Sequence, residues 1–364
     1  MAEWPACMIQ TRQRLPAVVS PLLVGAVAFV FAACDPVQPP EPDAGEGDAL
    51  GAVGPGSAGE IAIQAEPGEV AEDAAGDVPY HAERLGYIRH PEINEASGLA
   101  ASQNVPGSYW LVNDSGARPV LFRIDTRGRV IGRHPLAVRL ADAESLTSVA
   151  ADRSPLGRPL LVVADTGDNR RSRTHAFLHV FAEPALMDAS VDPSAAAAGP
   201  AALKPLASLR ITYADGPRDV EAVAFAPDTG DLVLLSKEVD QRAVVHGHSG
   251  LYVLPLAELL DAGPLPPGEP RTLERLADLS ITMPTGLSIS PNGERLAIAM
   301  YGDGRLVERD DGENWIQTLH RRELPPLPLP PRRLGETIAF TLLGDAVVVT
   351  SEHADPPLWR VSLP

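Results

Sequence analysis

Beyond residue 80 the hydrophobic positions fall in short runs, not in long stripes. Leu160-Val163, Leu232-Leu235, Leu251-Leu254 and Ala346-Val349 are compact, apolar and rich in β-formers, and turn residues bound them. This is the texture of strands buried on both faces. Sustained helical periodicity is confined to Leu254 to Asp261. Two interruptions read as loops between repeats: the Ala-rich Ala189 to Ala202, and Pro325-Pro-Leu-Pro-Leu-Pro-Pro331, whose composition predicts polyproline II.

One phrase recurs. Asp219-Val-Glu-Ala-Val-Ala-Phe225 is followed by the turn Pro227-Asp-Thr-Gly230 and by Asp231-Leu-Val-Leu-Leu-Ser236, ending at Lys237-Glu238. Comparable units start at Glu95, Glu144, Thr285 and Glu336, about fifty to eighty residues apart. Each supplies an inner strand, a hairpin, a second strand and a third. Fourth strands come from the linkers, as in Leu206 to Tyr213. The pattern is that of an all-β, single β-propeller with four-stranded blades, five in number, or six if a degenerate blade is concealed. The last unit stops at Pro364 without a fourth strand, and Arg84 to Ile88 is the segment that would close the ring.

In such a blade the start of the first strand and the end of the second lie on the same face. The starts carry Glu95, Glu144, Glu221 and Glu336, with Thr285 the exception, and the ends carry Asp114, Asp165, Glu238, Asp303 and Glu352. Carboxylates so crowded repel and need a cation or arginines. A hard divalent ion on oxygen ligands answers this, and flexible carboxylate ligation favours Ca²⁺. Glu95, Glu144, Glu221, Glu336, Asp114 and Asp165 are the candidate metal ligands. Asn113 and Asn169 add neutral oxygens and, with Lys237 and Arg218, form a candidate substrate-binding set. Glu221, Glu238 and Lys237 are the candidate catalytic groups. The competing account is that each Glu accepts backbone N–H bonds from the next blade and locks the ring. His246 and His248 fall in a polar Gly-Ser loop and carry little metal signal.

The formal charge of -18 and pI near 4.9 argue against nucleic acid. Residues 1-34 read as an export signal: Arg12 and Arg14 precede an uncharged run, Leu15 to Ala33, which ends Phe31-Ala-Ala-Cys34. The ending resembles a lipoprotein signal with Cys34 as the lipidated residue, although Phe31 departs from the usual Leu. An ordinary signal peptide and a single membrane anchor are the alternatives. Residues 35-79 hold abundant Pro, Gly, Ala, Asp and Glu, and the stretch to Asp77 has no Lys or Arg, so a disordered spacer is expected before the propeller domain, residues 80-364. The expected setting is the bacterial cell envelope or secretion, as a monomer meeting the membrane only through its N-terminal anchor. Cys7 and Cys34 are the only cysteines, so the expected mature domain has no internal disulfide.

The sequence has no G-x-S-x-G elbow, Walker loop, H-E-x-x-H or dinucleotide fingerprint. Asp165-Thr-Gly-Asp-Asn169 is rich in oxygen ligands but lacks EF-hand spacing.

Trp110-Leu-Val-Asn-Asp-Ser-Gly116, Val163-Ala-Asp-Thr-Gly-Asp-Asn169, Tyr213 to Ala222, and Ser351-Glu352 with Pro357-Leu-Trp-Arg360 resemble a family of exported bacterial β-propellers of unknown function. More distantly, the Glu-led inner strand and the acid closing the second strand are similar to esterase-like phytase and gluconolactonase-type calcium propellers. That resemblance implies a divalent metal in the channel, held by a Glu at a strand start and by Asn and Asp elsewhere. Two functions are therefore expected: a Ca²⁺-dependent hydrolase of a phosphoester or lactone, acting on a small anionic molecule, or a non-catalytic envelope propeller that binds a ligand or protein.

Overall fold

The structure is a computed structural model and describes residues 80–114, 116–185, 201–238, 248–265, 268–281, 283–321 and 323–364. Contacts divide the chain into Met1–Ala71 and Glu72–Pro364, and the described residues all belong to the second unit. The export signal, Cys34, the spacer, most of the Ala-rich insertion and His246 lie outside the described residues.

The chain forms a β-propeller of five blades. The innermost strands are Ala96–Ala101, Ser145–Val149, Val220–Ala226, Gly286–Ile289 and Thr337–Phe340. Each pairs antiparallel with the next strand in sequence, and the five pack side by side around a closed ring. Every blade is thus covered on both faces, which explains apolar runs without polar alternation. The core is distributed accordingly: five apolar clusters of described residues lie one at each seam between neighbouring blades.

The expected closure is present. His81–Tyr87 pairs antiparallel with Pro357–Ser362 and completes the fifth blade, so the first strand of the domain clasps the last. Neighbouring inner strands do not pair with one another as in a sheet; Val220 N donates across one seam to Thr166 O at 3.2 Å, and hydroxyls bridge the gap elsewhere. Ser145 Oγ accepts from Val223 N and donates to Val223 O, both at 3.1 Å. Thr147 Oγ1 accepts from Phe225 N at 3.2 Å, and Ser288 Oγ from Phe340 N at 2.9 Å. Each bridge satisfies a backbone group that would otherwise be buried unpaired.

Four elements differ from the expectation. Within the proline run, Pro326–Leu327 is an edge strand of the fourth blade rather than only a loop. Proline fits there because an edge strand needs no donor on its outer side, while Pro325 O still accepts from Leu306 N at 3.0 Å. A helix, Trp315–Arg321, forms where no helical periodicity was expected. Asn314 and Gln317 start it by a reciprocal cap, each side chain accepting the other's backbone N–H at 2.9 and 3.1 Å. The second blade gains a fifth strand, Arg271–Leu273, parallel to Ala207–Tyr213 and lent by the third blade's connection. The expected helical segment at Leu254 begins later, at Leu256–Asp261, because Leu254 and Pro255 finish a strand.

Candidate metal centre at the channel mouth

Register pairs the start of each inner strand with the end of its neighbour: Ala96 with Asn113, Ser145 with Ala164, Val220 with Ser236, Gly286 with Ala299, Thr337 with Thr350. Glu95, Glu144, Thr285 and Glu336 stand one residue before these starts, and Glu221 one residue after. Glu221 owes its place to a β-bulge: the register slips between Val220 and Ala222, leaving Glu221 as the extra residue. Ser97 occupies the matching bulge in the first blade, and its Oγ donates to Glu144 Oε2 at 2.8 Å.

Two carboxylate groups result, sharing Glu144: Asp114, Asp142 and Glu144, and Glu144, Asp219 and Glu221. Within each, one oxygen from every residue lies within 4.8 Å of the others. Of the expected ligands, Glu144, Glu221 and Asp114 meet here. Glu336 is buried nearby and hydrogen-bonds Glu352. Asp165 is committed elsewhere, accepting from Ala141 N, Asp142 N and Arg173 Nη1 at 3.2, 2.8 and 3.0 Å. Glu95 joins neither group and lines an adjoining cleft with Asn113, Asp114 and Arg118. Thr285 offers no carboxylate and instead donates to Gly335 O of the next blade at 2.8 Å.

The expected catalytic and substrate groups also separate. Lys237 is buried, with its Nζ ion-paired to Glu221 Oε1, 3.6 Å from Asp219 Oδ2 and 3.4 Å from Tyr301 Oη. Glu238 faces arginines instead, pairing with Arg171, Arg218 and Arg275 at 2.6, 3.6 and 3.5 Å. Arg218 is held by Asp215 at 2.9 Å, Asn113 is buried with its side-chain amide on Glu92 O, and Asn169 is exposed. Asp142, Asp219 and Tyr301 were not singled out as site residues. The signal for the first two was the Asp-x-Glu doublet repeated at Asp142-Ala-Glu144 and Asp219-Val-Glu221. Tyr301 left no signal.

Crowding and burial set the protonation. Burial, reinforced by Asp114, pushes Asp142 up to about 7. Burial raises Glu144 well above the carboxylate range, with Glu221 and Asp114 adding repulsion. Burial takes Glu221 to about 8 although Lys237 opposes it, and Glu336 to about 10, with Glu352 and Glu221 contributing. Lys237 is raised because the carboxylates outweigh its own burial.

The residues fit a hard cation. The donors are all oxygen, and Glu221 Oε2 is sealed from solvent with no hydrogen-bond partner. Backbone N–H groups across the seams are taken by the hydroxyls of Ser145, Thr147 and Ser288, and also by Asp219, whose Oδ1 accepts from Asp168 N at 2.7 Å. Gly167 is needed beneath the cluster, since a Cβ there would collide with the carboxyls of Glu144 and Asp142.

No protein-family model matches the chain, and no curated protein matches it. Solved structures similar in fold include a nidogen/laminin complex chain, at TM-score 0.38 and 12% identity, covering 76% of this chain and 88% of that one. Kuenenia stuttgartiensis hydrazine synthase gives 0.36 and 10%, covering 68% and 66%. The gluconolactonase XC5397 of Xanthomonas campestris gives 0.38 and 14%, covering 78% and 90%. At these values they bear on neither substrate nor mechanism.

Proposed function

We propose that the channel-mouth carboxylates hold Ca²⁺ and that the mouth is the active site of a metal-dependent hydrolase of a phosphoester or lactone. The protein would be exported and anchored through Cys34. The observation that carries the reading is Glu221 Oε2, buried and unpartnered within a converging set of oxygen donors. Such a group costs about 1–3 kcal/mol when left unsatisfied, more if charged, and a bound cation removes that cost.

A bound Ca²⁺ would polarise the substrate oxygen. Asp114, Asp142, Glu144, Asp219 and, through Oε2, Glu221 are the residues that would hold it. Asp142, half-buried and raised to about 7, would take the proton of the attacking water on the oxygen it does not lend to the ion. Lys237 fixes Glu221 through Oε1, and Tyr301 holds the ammonium from the far side.

The test is calorimetric titration of Ca²⁺ into chelator-treated protein, with Glu221→Gln and Asp142→Asn alongside, followed by assays on bis-p-nitrophenyl phosphate and dihydrocoumarin. Binding lost in both variants, with Ca²⁺-dependent turnover of either compound, supports the hydrolase.

A second reading is a non-catalytic propeller that binds a ligand or protein partner. It is favoured by Lys237, whose ammonium already neutralises part of the cluster. No Ca²⁺ binding and no turnover would leave that reading in place.

A further inference from the structure

The acidic mouth has a basic counterpart at the seam between the first and fifth blades. There the strand His81–Tyr87 meets the turn after the first blade's third strand, Val120–Asp125. The two backbones touch: a Cβ on Gly86 would collide with Arg127 O, and one on Gly128 would lie 2.7 Å from Tyr87 O. Gly128 also has φ +78°, so the close approach depends on glycine twice over. A bulge between Arg84 and Gly86 bends the strand at this point.

The contact leaves a cleft of about 500 Å³ lined by Leu85, Tyr87, Arg89, His90, Arg127 and Arg129, among others, with no carboxylate in its lining. Arg84 and Arg89 lie over the Tyr87 ring at 5.1 and 5.5 Å. Arg84, Tyr87, Arg89, Arg127 and Arg129 are all exposed. The acids of these two segments are Glu83 and Asp125, and Asp125 is paired with Arg129 at 2.6 Å. On a chain of net charge -18, four arginines around an exposed tyrosine form a patch of opposite sign to the rest.

We propose that this seam docks the phosphate headgroups of an anionic bilayer. Guanidinium groups match phosphate oxygens in a planar fork, and a tyrosine ring with a polar tip suits the headgroup level. The choice of headgroups over free phosphate rests on chain order: His81 directly follows the segment that reads as a membrane tether. A patch of this size binds weakly by itself. A tether raises its effective concentration at the surface, so its work is to orient the domain rather than to hold it. The protein would then meet the membrane through more than its N-terminal anchor. The proposal does not depend on the metal or on catalysis.

The test is vesicle co-sedimentation of the full chain, wild type against Arg89→Gln/Arg127→Gln, on phosphatidylcholine with and without phosphatidylglycerol. The N-terminal apolar run is common to both proteins, so the difference between them reports the seam. On phosphatidylglycerol vesicles the wild type should partition about thirtyfold more strongly, on neutral vesicles equally, and the difference should shrink at high salt. Arg89→Lys/Arg127→Lys, which keeps the charge and loses the fork, should bind anionic vesicles more weakly than the wild type and more strongly than the Gln variant, which separates charge from misfolding. Equal partitioning of wild type and the Gln variant on anionic vesicles would overturn the proposal. Release of the wild type by millimolar inorganic phosphate at constant ionic strength would assign the cleft to free phosphate and overturn the headgroup assignment.

Discussion

Lys237 and Glu221 form a buried ion pair at the channel mouth, and only one oxygen of Glu221 takes part in it. The pair joins the end of the third blade's second strand to the bulge in its first, so one residue pair ties the mouth's chemistry to local strand geometry.

Replacing Lys237 with Met should destabilise the domain by about 3–5 kcal/mol, because Glu221 and Asp219 would remain buried without their cation. Both carboxyls already titrate above their ordinary range through burial. Their folded pKa values would rise further in the variant, so its lost stability should return as pH falls and they take up protons. Urea denaturation of both proteins at pH 5 and 8 checks the sign. A deficit that does not shrink at pH 5 would contradict it.

His179 is buried, shares a 2.8 Å hydrogen bond with Ser208 Oγ, and is pushed down to about 4 chiefly by burial. The fold therefore favours the neutral ring. Its stability contribution is complete above the ordinary histidine pKa of about 6.5 and is lost as pH falls towards 4. The stability difference between wild type and His179→Leu should decline through this window, since the carboxylate contributions cancel in the comparison. His134, pushed down to about 4 in the same way, should behave likewise.

Gly98 lies at a close approach of the first and second blades: a Cβ there would meet Leu146 N and Val112 Cγ1 at 2.7 Å. Gly98→Ala should cost about 1–3 kcal/mol by forcing those strands apart. Chemical denaturation reads the loss, and a Ca²⁺ affinity reduced in the same protein would show that the Ser97–Glu144 contact depends on that spacing.

Deleting His81–Tyr87 removes the clasp on Pro357–Ser362 and leaves that strand as an open edge. The truncated domain should unfold at lower temperature and self-associate, as seen by calorimetry and size-exclusion chromatography. A monomer with unchanged melting would mean that the ring does not need its closure.

Much of the ring was legible because it rests on local rules. Strand length, turn residues and the acid recurring at every strand start but that of Thr285 are written in consecutive residues, so the five blades, the closing strand and the acidic mouth follow from repetition. The helix Trp315–Arg321 escaped because it is short: Trp315, Thr318 and Leu319 bury one face, but a single such set over seven residues does not stand out as a sustained period.

What the sequence by itself determined is therefore the architecture and the end of the channel where acids gather. Which acids converge was decided only in three dimensions. Asp165 occupies the place of Asp114 in the repeat and Glu238 lies one residue beyond it, where Lys237 stands. Yet Arg173 claims the first and Arg171 of the second blade the other, while bulges at Ser97 and Glu221 turn those side chains towards Glu144. Backbone hydrogen bonding repeats with the strands, but side-chain pairing spans seams between blades, and its partners are chosen by the closed ring as a whole.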